Sequence, residues 1–520
     1  MPEAQEITPS SFANTEGLPE GWAELSLREG VVIDVRPGFA CGVNNRSGKG
    51  IPHLRPMNIN EHGQIDLGVV KYVPEVEAKG SEKFVIPGDV LFNNTNSVEL
   101  VGKTALYDLR EPRAFSNHMT RLRCRVDVLD PAFCAIALHQ KWREGYFRNV
   151  CNNHVSQSSV SRDVLLDTHI PLPPLAEQKR IVAKIEELLA RVNATRERLA
   201  RVPAILKRFR QAVLAAACSG RLTEGWRETH ARSIESAEAL LERIRTAKRC
   251  FLEESRKKNP KISELSTTEP NPEFDVLVPD GWAVASIGEL TARITSGSRD
   301  WKRYYRDDGP GTFIMAQNVR PLQFDQSYRL RVAPPHKDRD RERSQVKQSD
   351  ILVTIVGANT GDVCRITGPV DQHYVCQSVA MMRPIFEELS PFLELFLNSP
   401  EHGQAQYREW IYGEGRPHLS FDHLRATAVL IPSLFEQQEI VRRVQGLFKL
   451  ANAIEQRIEF SKTRVEKLTQ ITLTKAFSGK LVPTEAELAR REGRSYESAG
   501  ELLRRIRAER ESIMHLPAHG

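Results

Sequence analysis

The stretch 171–189, PLPPLAEQKRIVAKIEELL, sets two prolines and a Glu-Gln pair directly before a row of spaced aliphatics. The stretch 431–448, IPSLFEQQEIVRRVQGLF, repeats the arrangement, with Glu436 lying 259 residues after Glu177. From Ile181 the seam positions run Ile185, Leu188, Val192, Thr195, Leu199, Val202, Leu206, Phe209 and Val213, in alternating steps of four and three. In the second copy they run Ile440, Val444, Leu447, Ala451, Ile454, Ile458, Ser461, Val465, Leu468 and Thr472. That spacing is a heptad seam, and the residues between are dense in Arg, Lys and Glu. A plain core helix would carry a wider apolar face. The narrow strip therefore predicts two long helices that pack on each other as a coiled coil. Pro173 and Pro174 end the preceding strand and seed the first turn. Glu177 and Glu436 fall where the helix dipole favours a carboxylate. Pro203, matched by Lys462 in the second copy, predicts a kink or break.

The duplication extends outward from the two helices. LPEGW at Leu18 returns as VPDGW at Val278, and RPMNI around Asn58 as AQNVR around Asn318. GDVLF at Gly88 returns as SDILV at Ser349, and CSGRL at Cys218 as FSGKL at Phe477. SAEALLERIR at Ser236 returns as SAGELLRRIR at Ser498. Markers in constant order at a nearly constant offset identify a tandem repeat. Between them, short apolar runs such as KFVIPGDVLF and DILVTIVG, broken by Gly, Pro and Asn, read as strands and turns. The expected fold is α+β: two mixed α/β domains separated by two long antiparallel helices with pseudo-two-fold symmetry. The expected boundaries are a tail at 1–15, a first domain at 16–173 and a first spacer helix at 174–217. A helical segment and linker follow at 218–270, then a second domain at 271–432. A second spacer helix at 433–476 leads to a C-terminal helical segment at 477–520.

A chain of 520 residues exceeds one hydrophobic core, in line with this division. No run of about 18 apolar residues and no charged-then-apolar leader occurs, so a cytoplasmic protein without membrane contact is expected. The eight cysteines form no C-x-x-C pair, which argues against a zinc ribbon or a disulfide framework. A net charge of +6 permits nucleic acid as a partner.

Two motifs imitate chemistry. SVELVGKT at Ser97 ends like a phosphate-binding loop, but its first glycine is missing and its middle is bulky. NPEF at Asn271 nearly spells the N-P-P-[YF] tetrapeptide of adenine amino-methyltransferases, yet lacks the second proline and stands in a polar linker. No catalytic residues and no metal ligands are assigned. What remains is binding. GSRDWKRYYRDD interleaves Arg299, Lys302, Arg303 and Arg306 with Trp301, Tyr304 and Tyr305; cations neutralise phosphates and aromatics pack on sugars or bases. NNRSGKG offers Asn45, Arg46 and Lys49 in the matching region. Asn93, Asn94 and Asn96, and in the second copy Asn359, supply amides of the type that pair with adenine. A solvated surface loop is the alternative for each.

These residues resemble a family, the DNA-specificity (S) subunits of type I restriction-modification systems. LPPLAEQKRIV and IPSLFEQQEIV before long helices, AVLAAACSGRL and LTKAFSGKL after them, the LPEGW and VPDGW openings and GEGRPHLS at Gly413 carry the resemblance. It implies two target-recognition domains, each reading one half of a bipartite, asymmetric DNA sequence, with the helices as a ruler for the gap. Arg416 and His418 join the DNA-binding candidates on this ground. Two methyltransferase (M) subunits and restriction (R) subunits are the implied partners, docking on helices marked by Glu177, Gln178, Glu436 and Gln437. S-adenosylmethionine, ATP and magnesium are expected on those partners, with no cofactor bound by this chain. The first copy departs from the pattern, with NNHVSQSSVS where the second has GEGRPHLS. A stand-alone DNA methyltransferase or nuclease with unrecognised motifs, and a coiled-coil protein adaptor, are the rival readings.

Overall fold

The computed structural model describes residues 17–78, 80–153, 157–230, 235–258, 269–274, 276–297, 300–335, 339–413 and 415–514. The expected tail at 1–15 and Arg299 lie outside these, as does most of the linker before residue 270. The chain divides into two compact units, the first assembled from two separate stretches of sequence. One comprises residues 1–198 and 461–520, the other residues 199–460.

In the first unit, a four-stranded antiparallel sheet runs in the order Val32–Pro37, Met119–Cys124, Val90–Asn93, Thr104–Leu106. Helix Pro131–Arg143 packs on it and starts cleanly because Asp130 caps the Ala132 and Phe133 amides. A smaller sheet of Lys71–Val73, Ile51–Leu54, Arg113–Phe115 and Phe84–Val85 forms a second lobe around Leu54, Phe115 and Tyr107. Strand Ala23–Ser26 pairs with His169–Leu172, which delivers the chain through Pro173 and Pro174 into the helix Leu175–Cys218. The main core joins Phe92, Leu122 and Phe133 to Ile181 and Ile185 of that helix. It also takes Leu473 and Ala476 from the second long helix, and Leu502 and Ile506 from the helix Ala499–Met514. The C-terminal segment thus completes the hydrophobic core of the first unit.

The second unit repeats this design. Its sheet runs Thr291–Ser296, Val379–Pro384, Ile351–Thr354, Val363–Arg365, and its small lobe is built on Gly311–Ile314, Leu330–Val332 and His373–Val375. Helix Ala237–Lys258 contributes Leu240, Leu241 and Ile244 to the core, as Ala499–Met514 does in the first unit. The duplicated asparagines explain their own recurrence. Asn58 accepts from Arg55 N and donates to the Asp66 and Val69 carbonyls. Asn318 accepts from Met315 N and donates to the Asp325 and Tyr328 carbonyls. Each ties a turn whose backbone would otherwise lack partners.

Both long helices, Leu175–Cys218 and Leu434–Phe477, have 44 residues, about 66 Å at 1.5 Å per residue. They pack antiparallel within each unit. In the second, Arg210 pairs with Glu455 at 2.7 Å while Leu222 O accepts from Arg443. In the first, Arg196 pairs with Glu466 at 2.8 Å while Arg180 donates to Pro483 O. Leu199, Val202, Leu206 and Phe209 meet Ala451, Ile454 and Ile458 along the expected seam. Three expectations are corrected. The helix continues through Pro203 without a break. Thr195 is exposed. Past Val465 the buried positions are Thr469, Leu473 and Ala476 rather than Leu468 and Thr472. The physical reason for this last shift is the mismatch between 3.6 residues per turn and a strict 3.5 repeat, which carries the stripe round the helix.

Candidate nucleic-acid interface

Two loops of the second unit, far apart in sequence, are brought together at the end of the strand Ile351–Thr354. The turn holding Asn359 lies against the loop 411–418: Gly357 N donates to Pro417 O at 3.0 Å and Val356 bridges His418. Thr360 Oγ1 donates to the same Pro417 carbonyl at 3.0 Å. The Tyr412 hydroxyl and His418 Nδ1 hydrogen-bond at 2.9 Å, bracing a hairpin whose tip carries the exposed Arg416. Asn359, Arg416 and His418 therefore share one surface.

The first unit builds the corresponding surface from different residues. Thr95–Asn96 pairs with Ser158–Ser159, which pairs in turn with Asn152–Asn153. Ser158 Oγ donates to Asn153 Oδ1 at 2.7 Å, and both Asn152 and Asn153 are exposed. Sequence reasoning passed over Asn152, Asn153 and Tyr412. The signal was the atypical NNHVSQSS run, which reads as a departure until its pairing with Thr95–Asn96 is seen.

The small lobes carry the other candidates. Trp301 is buried and stacks on Phe313 with ring centroids 5.7 Å apart, anchoring the 301–306 segment. Tyr304 and Tyr305 pack half-buried against the same core, and burial raises the Tyr305 hydroxyl above its ordinary pKa. Lys302, Arg303 and Arg306 point outward, with the Arg303 guanidinium 4.9 Å over the Tyr304 ring. The aromatics are chiefly anchors that present the cations, a narrower role than stacking on sugars or bases. In the first unit Asn45 bridges Tyr72 as Tyr305 bridges Val332. Its side chain holds the turn, accepting from Ser47 N and donating to Lys49 O, both at 2.9 Å, while Arg46 and Lys49 are exposed.

Burial and internal hydrogen bonds bear on several expected contacts. Asn93 is fully buried and so unavailable to a base edge. The amide of Asn94 donates to Asn117 O and Thr120 Oγ1. Asn96, half-buried, uses its Oδ1 on Ser97 N at 2.8 Å. The Glu-Gln pairs do not face partners either. Glu177 takes the Trp22 indole N–H at 2.9 Å on one oxygen and Glu485 N at 2.8 Å on the other; burial raises its pKa above the usual carboxylate value. Gln178 accepts from Asp130 N and donates to the carbonyls of Val128 and Pro173. Glu436 accepts from Thr223, Arg227 and Trp282, and Gln437 donates to Pro432 O. All four are buried, the glutamates because a buried indole N–H demands an acceptor and the glutamines because they tie backbone groups at the helix start. That demand couples each PEGW or PDGW opening to the EQ pair more than 150 residues later. The large apolar residues that do face outward on the two long helices are Ile205, Phe435, Leu450 and Phe460 in the second unit, with Leu468 and Ile471 in the first.

The imitations of chemistry resolve as structure. Lys103 of VGKT is buried with its ammonium on Ile59 O, and a side chain on Gly102 would meet the Phe147 ring at 2.4 Å. Asn271 of NPEF is buried, its backbone amide donating to Ala426 O at 2.8 Å. Among the described residues no group of three or more His, Cys, Asp or Glu is placed to hold a metal ion, and no helix is long and apolar enough to cross a membrane.

Comparison with known proteins places this architecture. The family model described as type I restriction modification DNA specificity domain matches residues 41–204 and 339–460, more than half of the chain. The EcoBI specificity subunit of Escherichia coli is 29% identical, with 98% of this chain and 96% of that protein covered. The EcoKI specificity subunit of Escherichia coli K12 is 27% identical, covering 95% and 96%. A solved chain from a study of assembly and conformational transition of the type I R-M system superposes with a TM-score of 0.60 at 19% identity, covering 89% of this chain and 99% of its own. The HsdS subunit from Thermoanaerobacter tengcongensis gives 0.52 at 19% identity, covering 89% and 98%. With two matched domains, each joined to a long helix, the chain belongs to the type I restriction modification DNA specificity family.

Proposed function

We propose that this chain is the non-catalytic DNA-specificity subunit of a type I restriction-modification complex acting in the cytoplasm. Each recognition domain reads one half of a bipartite, asymmetric target, and the long helices set the gap. The observation that carries this reading is that one scaffold is built twice and presents the same pair of loops each time. The loop residues differ, with Asn152 and Asn153 in one copy and Asn359, Arg416 and His418 in the other. A repeat that keeps its core and changes its loops is suited to reading two different sequences from one frame. Arg46, Lys49, Lys302, Arg303 and Arg306 would supply backbone contacts. The outward apolar residues of the helices offer docking positions for two M subunits, with R subunits completing the complex. S-adenosylmethionine, ATP and magnesium would be bound by those partners.

The test is a methylome. The chain is co-expressed with its cognate M subunit in a methylation-free host, and modified adenines are mapped. A two-part motif with an unspecified gap, lost when this chain is omitted, supports the reading. A soluble complex that adds no motif refutes it.

A further inference from the structure

The two recognition domains differ in charge at one matched place. In the first, Arg123 stands directly across the strand pair from Asp34, and Asp34 is ion-paired with Arg121 and Arg36. In the second, Arg383 stands directly across from Arg293. Like charges in facing positions on a sheet destabilise it, so the fold gains nothing from this pair. Arg343, on the helix Arg339–Ser344, adds a third guanidinium whose field reaches Arg293.

Two neighbouring acids are occupied, while Glu342, whose charge also acts on Arg293, is exposed and makes no ion pair with it. Both Asp350 oxygens are held by Arg383, at 2.7 and 2.6 Å, and Asp340 takes Arg343 at 2.7 Å. Among the described residues Arg293 has no hydrogen bond or ion pair, although it is half-buried. Burial first, and then the repulsion of Arg383 and Arg343, pulls its pKa below the ordinary arginine value. A half-buried guanidinium with no protein acceptor keeps its donors open to solvent and so to an anion.

Its position indicates which anion. The strand Thr291–Ser296 is a sheet edge that ends about 10 Å beyond Arg293 at the rise of an extended strand, and the exposed Lys302, Arg303 and Arg306 follow it in sequence. Arg343 also donates to Gly297 O, at the foot of that loop. We propose that Arg293, facing Arg383 on this edge strand, is a DNA backbone-phosphate contact of the second recognition domain. A phosphate of the bound duplex supplies the counter-charge that Asp34 supplies in the first. This rests on the specificity-subunit reading and adds a positioning residue to it.

The experiment uses the full chain assembled with its M subunits, and measures affinity for the target duplex over a salt series together with thermal stability. Arg293→Ala is expected to weaken binding roughly three- to tenfold and to reduce the slope of log K against log salt by about 0.9. The thermal midpoint stays level or rises, since a repulsive pair is removed. Arg293→Lys keeps the slope and Arg293→Asp loses more affinity than alanine. Unchanged affinity and slope in Arg293→Ala, with wild-type binding intact, overturns the proposal. Inorganic phosphate that raises the thermal midpoint of wild type but not of Arg293→Ala, without any DNA effect of the substitution, assigns the site to a free anion and also overturns it. Loss of sequence preference in the wild-type complex itself is the separate signature of a failed specificity reading.

Discussion

Ile506 and Ile244 occupy matched places in the SAGELLRRIR and SAEALLERIR segments, and both are fully buried. Ile506 belongs to the core of the first recognition domain, although more than 300 residues separate it from Phe133 and Leu122. Ile506→Ala removes three carbons from a filled site. At about 0.8 kcal/mol for each buried methylene, and with a cavity left behind, the cost is about 2–4 kcal/mol. Because a tenfold change corresponds to about 1.4 kcal/mol, amides that exchange through opening of that domain should exchange roughly 30- to 700-fold faster. Hydrogen exchange read by mass spectrometry separates the domains. Peptides from 119–143 should lose protection in Ile506→Ala, while peptides from 379–398 hold theirs. Ile244→Ala should give the mirror result. If Ile506→Ala loosens 379–398, or leaves both regions unchanged, the assignment of the C-terminal helix to the first domain is wrong.

Burial holds His139 in the first unit and His402 in the second at a pKa of about 4, below the usual histidine value. The unfolded chain therefore binds these protons first, and stability should fall as pH drops from about 6.5 towards 4; His139→Gln should flatten that decline in urea midpoints of the first unit. Arg303→Ala with Arg306→Ala should weaken DNA binding by roughly tenfold and lower the salt slope, as a salt titration of duplex affinity will read. Unchanged slope removes the 301–306 segment from the interface. Phe460→Asp, at a side chain 69% exposed, should weaken association with the M subunit at least tenfold by calorimetry while leaving helical circular dichroism intact. A seven-residue insertion in each long helix adds about 10.5 Å, which should lengthen the gap in the methylated motif by about 3 base pairs and leave both half-sites unchanged.

The candidate site was legible only in part. The exposed cations Arg46, Lys302 and Arg303 lie on loops whose basic composition suggested it, since charge seeks water wherever the chain turns, whereas Arg416 was reached through the family resemblance. The amides were not legible. Asn93, Asn94 and Asn96 have the same composition as a base-reading cluster, yet their side chains are used within the fold, Asn93 on Leu100 O, Asn94 on Asn117 O and Asn96 on Ser97 N. A one-dimensional pattern does not say which side of a strand end is covered. Glu177 and Glu436 misled for the same reason. Position at a helix start fits a carboxylate exposed to solvent as well as one taken by a distant indole.

What the sequence determined by itself is the repeat, its strand-rich and helical parts, and the heptad strip that demands a partner. Periodicity and offset are local quantities, and they survive without coordinates. Tertiary structure decided which partner each apolar stripe receives. The two copies of Ser-Ala-x-x-Leu-Leu have nearly the same stripe, and nothing in either states that 499–514 should leave its sequence neighbours and close the first domain. Hydrophobic burial is non-directional, so the recipient is fixed only when antiparallel helices return the chain to the open core it can fill.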